Sequence, residues 1–519
     1  MAWLQLMDGA DSIGGTKILL DTGRARLLLD FGLNYRLYGA YFEEHLRPRP
    51  ARGLVDLWRL GLIPRAADLY RDDLWPADLS PSGPALEVDE VLVSHAHLDH
   101  CGLLGLVDPA IPVVAAPAAW AVMKSVQDTG GTDFFSELAY VTPREPQADP
   151  RALAAGRWQS TPYQGRAARL AGGELTSDLA AFLSSPPNPR GRPLRPGLAA
   201  PHPGTCGGLQ VLAFPVDHSL PGALAYAVET DAGWVVYTGD LRLHGHHRED
   251  TVAFVEAARR LRPAVLIIEG TRAGPTGGKE TSEQDVYRSA SRIVRDSRGK
   301  LVVADFSPRQ VERLATFLRI ARESGRTLAV LTKDLYLLEA LATCRPDGGL
   351  VDDPHLAAFN DISINPRFWD QDLRRRHAGR LVDPREVGED PGRFILAFSF
   401  WDLKHLLDVG ETDVVYIYSS SEAHGEEQAI DLRRLWHWLQ FLGAEVHGFA
   451  LTQQGELEFT GELHASGHAA PQELLWVARQ IRPDRLIPVH TERPRFFADH
   501  LAQEGPAVQV IGNGERVEF

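Results

Sequence analysis

The twelve residues VLVSHAHLDHCG (91–102) place three histidines and one aspartate within six positions, immediately after an apolar run. The preceding sequence, EVDEVLVSH, predicts a short buried strand that ends at His95 and is followed by a tight loop. Alternate residues of such a loop can converge on one point, so His95 and His97 can bind one metal ion. Asp99 and His100 can then turn toward a second ion, and this mixture of imidazole and carboxylate suits zinc, manganese or iron(II). The alternative is a polar loop whose histidines have unrelated roles, but four residues of ligand type rarely fall within six positions by chance.

Other predicted strands also end at residues of the types that bind metals. RLLLD ends at Asp30, GWVVYTGD ends at Asp240 and LIPVH ends at His490, while His218 follows the run LQVLAFPVD. Ligands at the ends of several strands would lie along one edge of a sheet sandwich. We therefore predict a site for two metal ions at that edge.

Length and composition limit the classes of protein that remain. With 519 residues, 44% of them hydrophobic, the chain is expected to form two or more compact units. It has no apolar run of about 18 residues and no basic start followed by an apolar segment, so neither a membrane span nor a secretory signal is expected. The three cysteines, Cys101, Cys206 and Cys344, are widely spaced, which favours a reducing, cytoplasmic location over a disulfide framework. The formal net charge of −15 argues against coating nucleic acid by bulk charge, but it leaves room for a local basic channel.

The cluster and the strand ends together resemble a known family. HAHLDH followed by Gly102 matches the HxHxDH signature of the metallo-β-lactamase superfamily, and the four strand-end residues match its remaining positions in order. The resemblance implies two ligand sets, one for each metal ion: His95, His97 and His218, then Asp99, His100 and His490. It further implies that Asp240 bridges the ions and that Asp30 steadies the ligand loop from behind. The signature identifies the superfamily but not the substrate.

About 250 positions separate the last two of these strand-end ligands, far more than in compact members of the superfamily, so an extra domain must be inserted there. Residues 301–331 predict a strand, a helix and a strand, with Ser307 as the helix N-cap. An earlier helix is predicted to begin with a capping box formed by Thr281 and Gln284. The region 275–460 is therefore predicted to be an α/β unit of its own.

Two motifs flank this insertion. PAVLIIEGTRAG places Glu269 at the end of a strand. FTGELHASGHAAPQELL carries four residues of interest, which are His464, Ser466, Gly467 and His468. With the later PVH, they look like motifs A, B and C of the β-CASP nucleases, and HASGH followed by PVH is especially similar to RNase J. YSSSEAHGEE (418–427) occupies the place of a serine-rich strand end in this group.

The resemblance implies an α/β fold, a metallo-β-lactamase αββα sandwich with an inserted α/β β-CASP cap domain. The expected division is residues 1–274 for the first part of the metallo-β-lactamase domain, with an insertion around 120–205, residues 275–461 for the β-CASP domain, and residues 462–519 for the return segment. Only 29 residues follow His490, so the C-terminal dimerisation domain of RNase J is expected to be missing, and the oligomeric state stays open.

The resemblance also assigns roles in phosphodiester hydrolysis. The predicted catalytic residues are Asp99, Asp240 and His468, and His468 would stabilise or protonate the leaving oxygen. Glu269 is expected to act with Asp30 behind the metal ligands. The residues predicted to hold a phosphate are His464, Ser466, Gly467 and His468. Two divalent cations, Zn²⁺ or Mn²⁺, are the expected cofactors.

The predicted function is a cytoplasmic two-metal nuclease that hydrolyses single-stranded RNA from the 5′ end by direct attack of water. Endonucleolytic cutting at the same site is expected if the cleft is open at both ends. RNA is favoured over DNA because His490 occupies motif C, where RNA-acting members carry histidine and the DNA-repair branch usually carries valine. The alternatives are a DNA nuclease of the same β-CASP fold acting in repair, a catalytically dead nucleic-acid-binding scaffold and a small-molecule hydrolase. The complete ligand set argues against the scaffold, and the inserted cap argues against the small-molecule hydrolase.

Three further segments receive structural interpretations. SSPPNPRGRPLRP (184–196) is predicted to be a solvated surface loop, with a flexible arm near a polyanion as the alternative. HGHH (244–247) is predicted to be an exposed loop, because the two ligand sets are already complete. Cys101 is predicted to pack in the core rather than to bind metal.

Overall fold

The computed structural model describes residues 2–43, 45–131, 134–157, 160–275, 280–307, 309–345, 349–420, 432–452, 457–501 and 505–519. The strands in the first half are β1 (Trp3–Asp8), β2 (Lys17–Asp21), β3 (Arg26–Leu29), β4 (Glu90–Leu92), β5 (Val113–Ala115), β6 (Tyr140–Val141), β7 (Arg144–Pro146), β8 (Leu153–Ala155), β9 (Tyr163–Gly165), β10 (Ala168–Leu170), β11 (Leu194–Arg195), β12 (Ala199–Pro201), β13 (Thr205–Cys206), β14 (Leu209–Pro215), β15 (Leu224–Thr230) and β16 (Gly233–Tyr237). Those that follow are β17 (Val265–Glu269), β18 (Leu301–Asp305), β19 (Thr327–Leu331), β20 (Leu356–Phe359), β21 (Leu381–Val382), β22 (Phe394–Ala397), β23 (Val414–Tyr418), β24 (Glu445–His447), β25 (Phe449–Leu451), β26 (Leu457–Phe459), β27 (Arg485–Val489), β28 (Ala507–Val508) and β29 (Arg516–Glu518).

The helices lie between these strands and at their ends. They are α1 (Tyr35–Gly39), α2 (Val55–Leu60), α3 (Leu98–Cys101), α4 (Pro117–Thr129), α5 (Ser177–Ser184), α6 (Arg248–Leu261), α7 (Glu283–Asp296), α8 (Val311–Ser324), α9 (Thr332–Ala342), α10 (Phe368–Arg376), α11 (Pro384–Glu389), α12 (Leu406–Val409), α13 (Leu432–Phe441), α14 (Pro471–Ile481) and α15 (Phe496–Leu501).

Two mixed sheets pack face to face around one core. The first has the strand order β12-β10-β5-β4-β3-β2-β1-β29, and the second has the order β13-β14-β15-β16-β17-β27-β28. A single cluster of buried side chains includes Leu28 and Val91 from the first sheet with Tyr226 and Ile267 from the second. Helices α6 and α14 cover the other face of the second sheet, where Phe254 packs in a separate cluster. These layers form the predicted αββα sandwich.

A third sheet is formed by a later part of the chain, strands β18 to β24, and its strand directions differ from those of the two mixed sheets. Its seven strands, in the order β21-β20-β19-β22-β18-β23-β24, all run parallel. Helices α7, α8 and α9 pack against one face and α11, α12 and α13 against the other. The run VVYIY of β23, and LVVA at the start of β18, are apolar throughout because both faces of the sheet are buried.

The α/β fold class with an additional domain is confirmed, and one local prediction also holds. β18, α8 and β19 form the predicted strand, helix and strand. β2 and β3 form a hairpin. Helix α8, however, begins at Val311 with Gln310 as its N-cap, so Ser307 is not the cap. The boundaries at residues 274 and 461 stay predictions.

The capping box at the start of α7 lies one position after the predicted one. The Ser282 side chain accepts from the Asp285 backbone N–H at 3.2 Å, and the Asp285 carboxylate accepts from the Ser282 backbone N–H at 3.1 Å. Thr281 and Gln284 have the same spacing, and sequence spacing alone does not separate two adjacent pairs of capping residues.

The proline-rich segment 184–196 is not a solvated arm along its whole length. Its prolines line a groove with Tyr336 and Trp369 of the third-sheet region, and its last residues form β11, which pairs with β9. The Arg192 guanidinium donates to the Thr161 carbonyl oxygen at 2.6 Å. The segment therefore lies on the surface, as predicted, with seven of its thirteen residues exposed, but parts of it also pack against protein. Within the part of the chain that the structure describes, no helix has both the length and the apolar composition needed to cross a bilayer.

Candidate metal centre

The ends of five strands bring ligand-type side chains to one edge of the sandwich. Asp30 follows β3, His95 lies just beyond β4, Asp240 lies beyond β16, Glu269 is the last residue of β17, and His490 follows β27. β3 runs parallel to β4, and β17 runs parallel to both β16 and β27. Carboxyl ends of parallel neighbours meet at the same edge, which is why the sequence places its ligands there.

The segment between β4 and α3 forms the predicted tight loop. His97 has an extended backbone and directly precedes α3, whose first turn carries Asp99 and His100. The segment that follows β3 holds this loop, since Phe31 donates its backbone N–H to the His100 carbonyl oxygen at 2.8 Å. A Cβ at Gly32 would lie 1.5 Å from the Asp99 carbonyl oxygen, so only glycine permits this approach.

Three histidines form the first ligand set. The nitrogens of His95, His97 and His218 all lie within 4.8 Å of one another. His97 Nδ1 is 3.0 Å from His95 Nε2 and 3.2 Å from His218 Nε2. Ligand nitrogens around a tetrahedral zinc ion lie about 3.3 Å apart, as bond lengths near 2.05 Å require. The spacing of this set fits a single metal ion.

The second ligand set comprises Asp99, His100 and His490, again within 4.8 Å of one another. Asp240 lies between the two sets: its Oδ2 is 3.1 Å from His100 Nε2, 3.6 Å from His95 Nε2 and 3.8 Å from His490 Nε2. One carboxylate therefore faces ligands from both sets, the position that the resemblance assigned to the bridge.

The chemistry of these donors fits divalent cations. His100 Nε2, His490 Nε2 and Asp240 Oδ1 are buried and have no hydrogen-bond partner among the described residues. Each buried polar atom left without a partner costs about 1–3 kcal/mol, so a cluster of them indicates a group that would satisfy them. Imidazole nitrogens and carboxylate oxygens around one point are the ligands of zinc and manganese.

Asp30 holds the ligand loop from beneath. Its carboxylate accepts from the Ser94 backbone N–H at 2.6 Å, from the Ser94 hydroxyl at 2.7 Å and from the Tyr237 hydroxyl at 2.6 Å. It also lies 2.8 Å from His100 Nδ1, which directs His100 Nε2 toward Asp240. Asp30 adopts a left-handed backbone with φ 59°, which is uncommon for a residue other than glycine. Asp30 therefore contacts the ligand loop, and its supporting role at a metal site stays a prediction.

Burial sets the protonation of the histidine ligands. It lowers the pKa of His95 and His218 well below the usual range and that of His490 to about 4, so these rings are neutral near pH 7. For His100, burial acts in the same direction, but the carboxylates of Asp240 and Asp99 outweigh it and raise the pKa. A neutral ring binds a cation without releasing a proton, whereas a cation at His100 would take the place of its proton.

Glu269 and His468 form a pair beside the second ligand set. Glu269 is fully buried at the end of β17, where its carboxylate accepts from the backbone N–H of Leu241 at 3.0 Å. His468 Nδ1 lies 3.2 Å from Glu269 Oε2 and 3.8 Å from Asp240 Oδ2. The His468 side chain keeps 21% of its surface exposed, so it can meet a ligand from outside. The role of His468 as a proton donor stays a prediction.

The other residues predicted to hold a phosphate differ among themselves. Both ring nitrogens of His464 lie against backbone carbonyl oxygens, 2.8 Å from Ser420 and 2.6 Å from Gly448. This buried ring packs against backbone carbonyl oxygens, and its role as a phosphate ligand stays a prediction. Ser466 and Gly467 precede His468 directly, and the Ser466 hydroxyl accepts from the His468 backbone N–H at 3.2 Å. For these two the prediction stays open. The predicted serine-rich segment lies from residue 421 onward outside the described residues.

The sequence prediction missed a buried contact in HGHH. His246 and His247 are exposed as expected, but His244 is buried. Its Nε2 lies 2.9 Å from the Ser466 carbonyl oxygen and its Nδ1 lies 3.2 Å from Glu473. The motif gave no signal for this, because the partners lie more than 200 positions away. Cys101 is fully buried, as predicted.

Comparisons with known proteins agree with this geometry. A model described as the metallo-beta-lactamase superfamily matches residues 78–304, which contain the ligand loop and Asp240. A second model, described as a Zn-dependent metallo-hydrolase RNA specificity domain, matches residues 462–511, which contain His468 and His490. The two matches support a metallo-β-lactamase family for this chain. Together with the clustered histidines and aspartates, they indicate that the site binds divalent metal.

Several similar curated proteins are ribonucleases J. The chain is 25% identical over 324 residues to ribonuclease J of Mycoplasma pneumoniae (58% of this chain, 50% of the relative), and 27% identical over 282 residues to that of Mycolicibacterium smegmatis (53% and 46%). For Sinorhizobium meliloti the identity is 26% over 329 residues (60% and 52%). The chain thus spans about half the length of the curated relatives it matches. Together with the two family models, these matches confirm the predicted RNase J-like family.

A solved structure resembles the whole chain. A protein of unknown function from Enterococcus faecalis V583 superposes with a TM-score of 0.67 at 21% sequence identity, over 99% of this chain and 99% of its own. At that identity the likeness concerns the fold alone. It shows that the sandwich with its additional sheet occurs as one arrangement in another protein.

Proposed function

We propose that this protein is a metal-dependent ribonuclease that hydrolyses phosphodiester bonds of single-stranded RNA, acting from the 5′ end. One observation carries the proposal. The segment matched by the RNA specificity model supplies both a ligand, His490, and His468, which lies 3.8 Å from Asp240 and 3.2 Å from Glu269. An ionisable side chain beside a cluster of metal ligands can protonate the leaving oxygen in metal-assisted phosphoryl transfer.

The proposed site holds two divalent cations, Zn²⁺ or Mn²⁺. His95, His97 and His218 would hold one, Asp99, His100 and His490 the other, and Asp240 would contact both. Bound there, the cations would supply positive charge for the phosphate and lower the pKa of a water molecule toward neutrality. The support for two sites is that Asp240 Oδ2 lies within 4 Å of ligands from both sets.

The chain's own residues would bind, orient and move protons. Ser94 and Asp30 fix the ligand loop, so its nitrogens keep their spacing when substrate binds. Glu269 holds Nδ1 of His468, which orients the ring to donate a proton to the leaving oxygen. The Ser466 hydroxyl and the backbone around Gly467 are the proposed contacts of a phosphate next to the scissile bond.

Action from the 5′ end is the finer part of the proposal. It rests on the position of Ser466 and Gly467, directly before His468, where a terminal phosphate would place the first phosphodiester bond near the metal ligands. Cutting within the strand at the same site is part of the proposal if the cleft accepts both ends. The cytoplasmic location is also proposed, supported by Cys101, Cys206 and Cys344, all present as free thiols.

Reconstitution with metal tests the proposal. The protein would be stripped with a chelator, dialysed and supplied with Mn²⁺, Zn²⁺ or Mg²⁺ before an internally labelled single-stranded RNA is added. We expect hydrolysis with Mn²⁺ or Zn²⁺ and none in the stripped protein. His95→Ala should remain inactive at every metal concentration, while His246→Ala, which changes an exposed histidine, should behave as wild type. Hydrolysis by stripped protein or by His95→Ala would contradict the proposal.

A further inference from the structure

In the segment that leads to His468, most of the backbone carbonyl oxygens contact side-chain donors. The Ser466 carbonyl oxygen accepts from Arg242 at 3.1 Å and lies 2.9 Å from His244 Nε2. The Gly467 carbonyl oxygen lies 2.6 Å from His218 Nδ1. A loop beside an active site more often has its carbonyl oxygens in water, so this dense set of side-chain donors fixes the course of the backbone.

The remaining anchors of this segment come from the third-sheet region. Arg313 lies on α8 and donates to the carbonyl oxygens of Leu463 at 3.4 Å and Ala465 at 3.5 Å. The same guanidinium donates to the Ser419 carbonyl oxygen and, at 2.7 Å, to the Ser419 hydroxyl. Ser419 follows β23 and donates in turn to the Leu463 carbonyl oxygen at 2.8 Å. Helix α8 and β23 therefore touch the backbone that leads to His468.

One carboxylate joins the two groups of anchors. Glu283, in the first turn of α7, accepts from Arg313 Nε and Nη2, both at 3.0 Å, and from Arg242 Nη1 at 3.2 Å. All three side chains are at most 1% exposed. Burial opposes ionisation of Glu283, but the guanidinium groups of Arg313 and Arg242 lower its pKa to about 2. Glu283 is therefore ionised at any working pH and forms ion pairs with both arginines. Arg242 also pairs with Asp217 at 3.1 Å in the sandwich.

A buried ion network of this kind is weak evidence for stability, because the cost of removing charges from water offsets much of their attraction. Its geometry is specific, however, since a planar guanidinium can satisfy a carboxylate and several carbonyl oxygens in only a few orientations. Arg242 stands two positions after Asp240, while Arg313 and Glu283 stand on cap helices. The network thus joins the segment just after Asp240 to the helices that pack on the third sheet.

We propose that Arg313 and Glu283 are positioning residues, which fix the 463–467 backbone from the cap so that His468 keeps its place beside Glu269 and Asp240. The expected effect on kcat rests on the proposed ribonuclease function. The expected effect on the position of the 463–467 backbone rests on the contacts alone. Correct placement of the cap thereby becomes a condition for proton donation at the site. A displacement of about 1 Å at a catalytic group is enough to slow a reaction about 100-fold.

The test compares Arg313→Lys and Glu283→Gln with a control on the same helix, Arg319→Ala, in the full chain. Lysine keeps the charge but cannot replace the several contacts of the guanidinium, and glutamine keeps the shape but removes the charge. Arg319 is exposed and contacts Glu323 and Tyr287 on the surface of α8 and α7. For each variant we would measure metal content, kcat and KM on 5′-monophosphate RNA, and amide hydrogen exchange of peptides covering 460–472.

The expected result is a fall in kcat of about 10- to 100-fold with KM within about threefold of wild type. Metal content should stay at the wild-type level, and faster exchange should be confined to 460–472. Arg319→Ala should match wild type in every measurement. Unchanged exchange in 460–472 and unchanged kcat in both variants would overturn the inference. So would exchange that rises equally across the whole cap, which indicates a loss of stability alone.

Two further outcomes are decisive. If Arg313→Lys does not fold, Glu283→Gln decides by the same criteria, because it conserves volume. If wild type itself does not cleave RNA, the proposed function fails, while hydrogen exchange still decides whether Arg313 and Glu283 hold the segment. The two failures are therefore distinguishable.

Discussion

Asp30 and His100 are joined by a contact of 2.8 Å between a carboxylate oxygen and Nδ1, with both side chains fully buried. The contact leaves His100 Nε2 facing Asp240 and Asp99, at 3.1 Å and 3.5 Å. A residue outside the ligand sets thus decides which nitrogen of a ligand faces the proposed cation. Partners of this kind tune both the orientation and the affinity of a metal site.

Asp30→Asn should therefore weaken metal binding about 10- to 100-fold without removing a ligand. Asparagine tolerates the left-handed backbone at this position, so the change isolates the lost charge and acceptor. Metal affinity would be measured by competition with a chromogenic chelator. Asp21→Asn, at the end of β2 beside Arg26, is the matched control and should leave the affinity unchanged. Equal affinities in wild type and Asp30→Asn would show that the contact has no such role.

Asp99→Ala and His97→Ala should abolish turnover while the protein stays folded. Each removes one proposed ligand, and neither residue belongs to the hydrophobic core clusters. Circular dichroism and thermal unfolding would check the fold, and mass spectrometry under native conditions would count bound metal. Normal turnover in either variant would refute the proposed ligand sets.

His468→Ala should reduce kcat by about 10²- to 10⁴-fold, the range associated with loss of a general acid. Its metal content should equal that of wild type, since His468 stands beside the ligand sets and is held by Glu269. The measurement pairs single-turnover kinetics with metal analysis. If the variant loses a metal ion instead, His468 is a ligand and its assigned role is wrong.

RNA with a 5′ triphosphate should be a poorer substrate for removal of terminal nucleotides than RNA with a 5′ monophosphate. The proposed phosphate contacts at Ser466 and Gly467 are few, and a Cβ at Gly467 would lie 2.7 Å from the Ser219 hydroxyl oxygen, so space there is limited. The two substrates would be compared at equal concentration and sequence by product release over time. Equal rates would contradict a pocket for one phosphate.

Asp305→Asn should stabilise the protein at pH 8 more than at pH 5. Burial raises the pKa of Asp305 from 3.8 to about 7, so the folded protein keeps a proton there that the unfolded chain has lost. The folded state thus binds more protons between these values, and the stability linked to Asp305 falls as pH rises through them. Between pH 5 and pH 8 this loss is about 3 kcal/mol, because each pKa unit corresponds to about 1.4 kcal/mol, and asparagine removes the dependence. Denaturant unfolding of both proteins at the two pH values measures the effect, and a pH-independent difference would disprove it.

The sequence revealed those parts of the site whose signal is local. His95, His97, Asp99 and His100 stand within six positions, and strand ends at Asp240 and other ligands are visible as apolar runs that stop at a charged residue. The alternation and length of these runs also predict the sheets, because burial imposes them. The number of residues between the ligands then required an inserted domain.

Other parts had no local signal. The contact of Arg313 with Ala465 joins residues 152 positions apart, and neither residue differs in type from many others on a helix or in a loop. His244 appeared to lie in an exposed loop because its partners, Ser466 and Glu473, come from a distant segment. His464 belongs to a recognisable motif, yet its ring is used by backbone carbonyl groups that only the fold brings near.

The central claim is tested most directly with end-labelled single strands of matched sequence, RNA and DNA, each with a 5′ monophosphate. Metal-stripped protein would be supplied with Mn²⁺ or Zn²⁺ and the products resolved over time. We predict mononucleotides released progressively from the 5′ end of the RNA, with the DNA cut far more slowly. Preferential cutting of the DNA, or no metal-dependent cutting of either strand, would contradict the account.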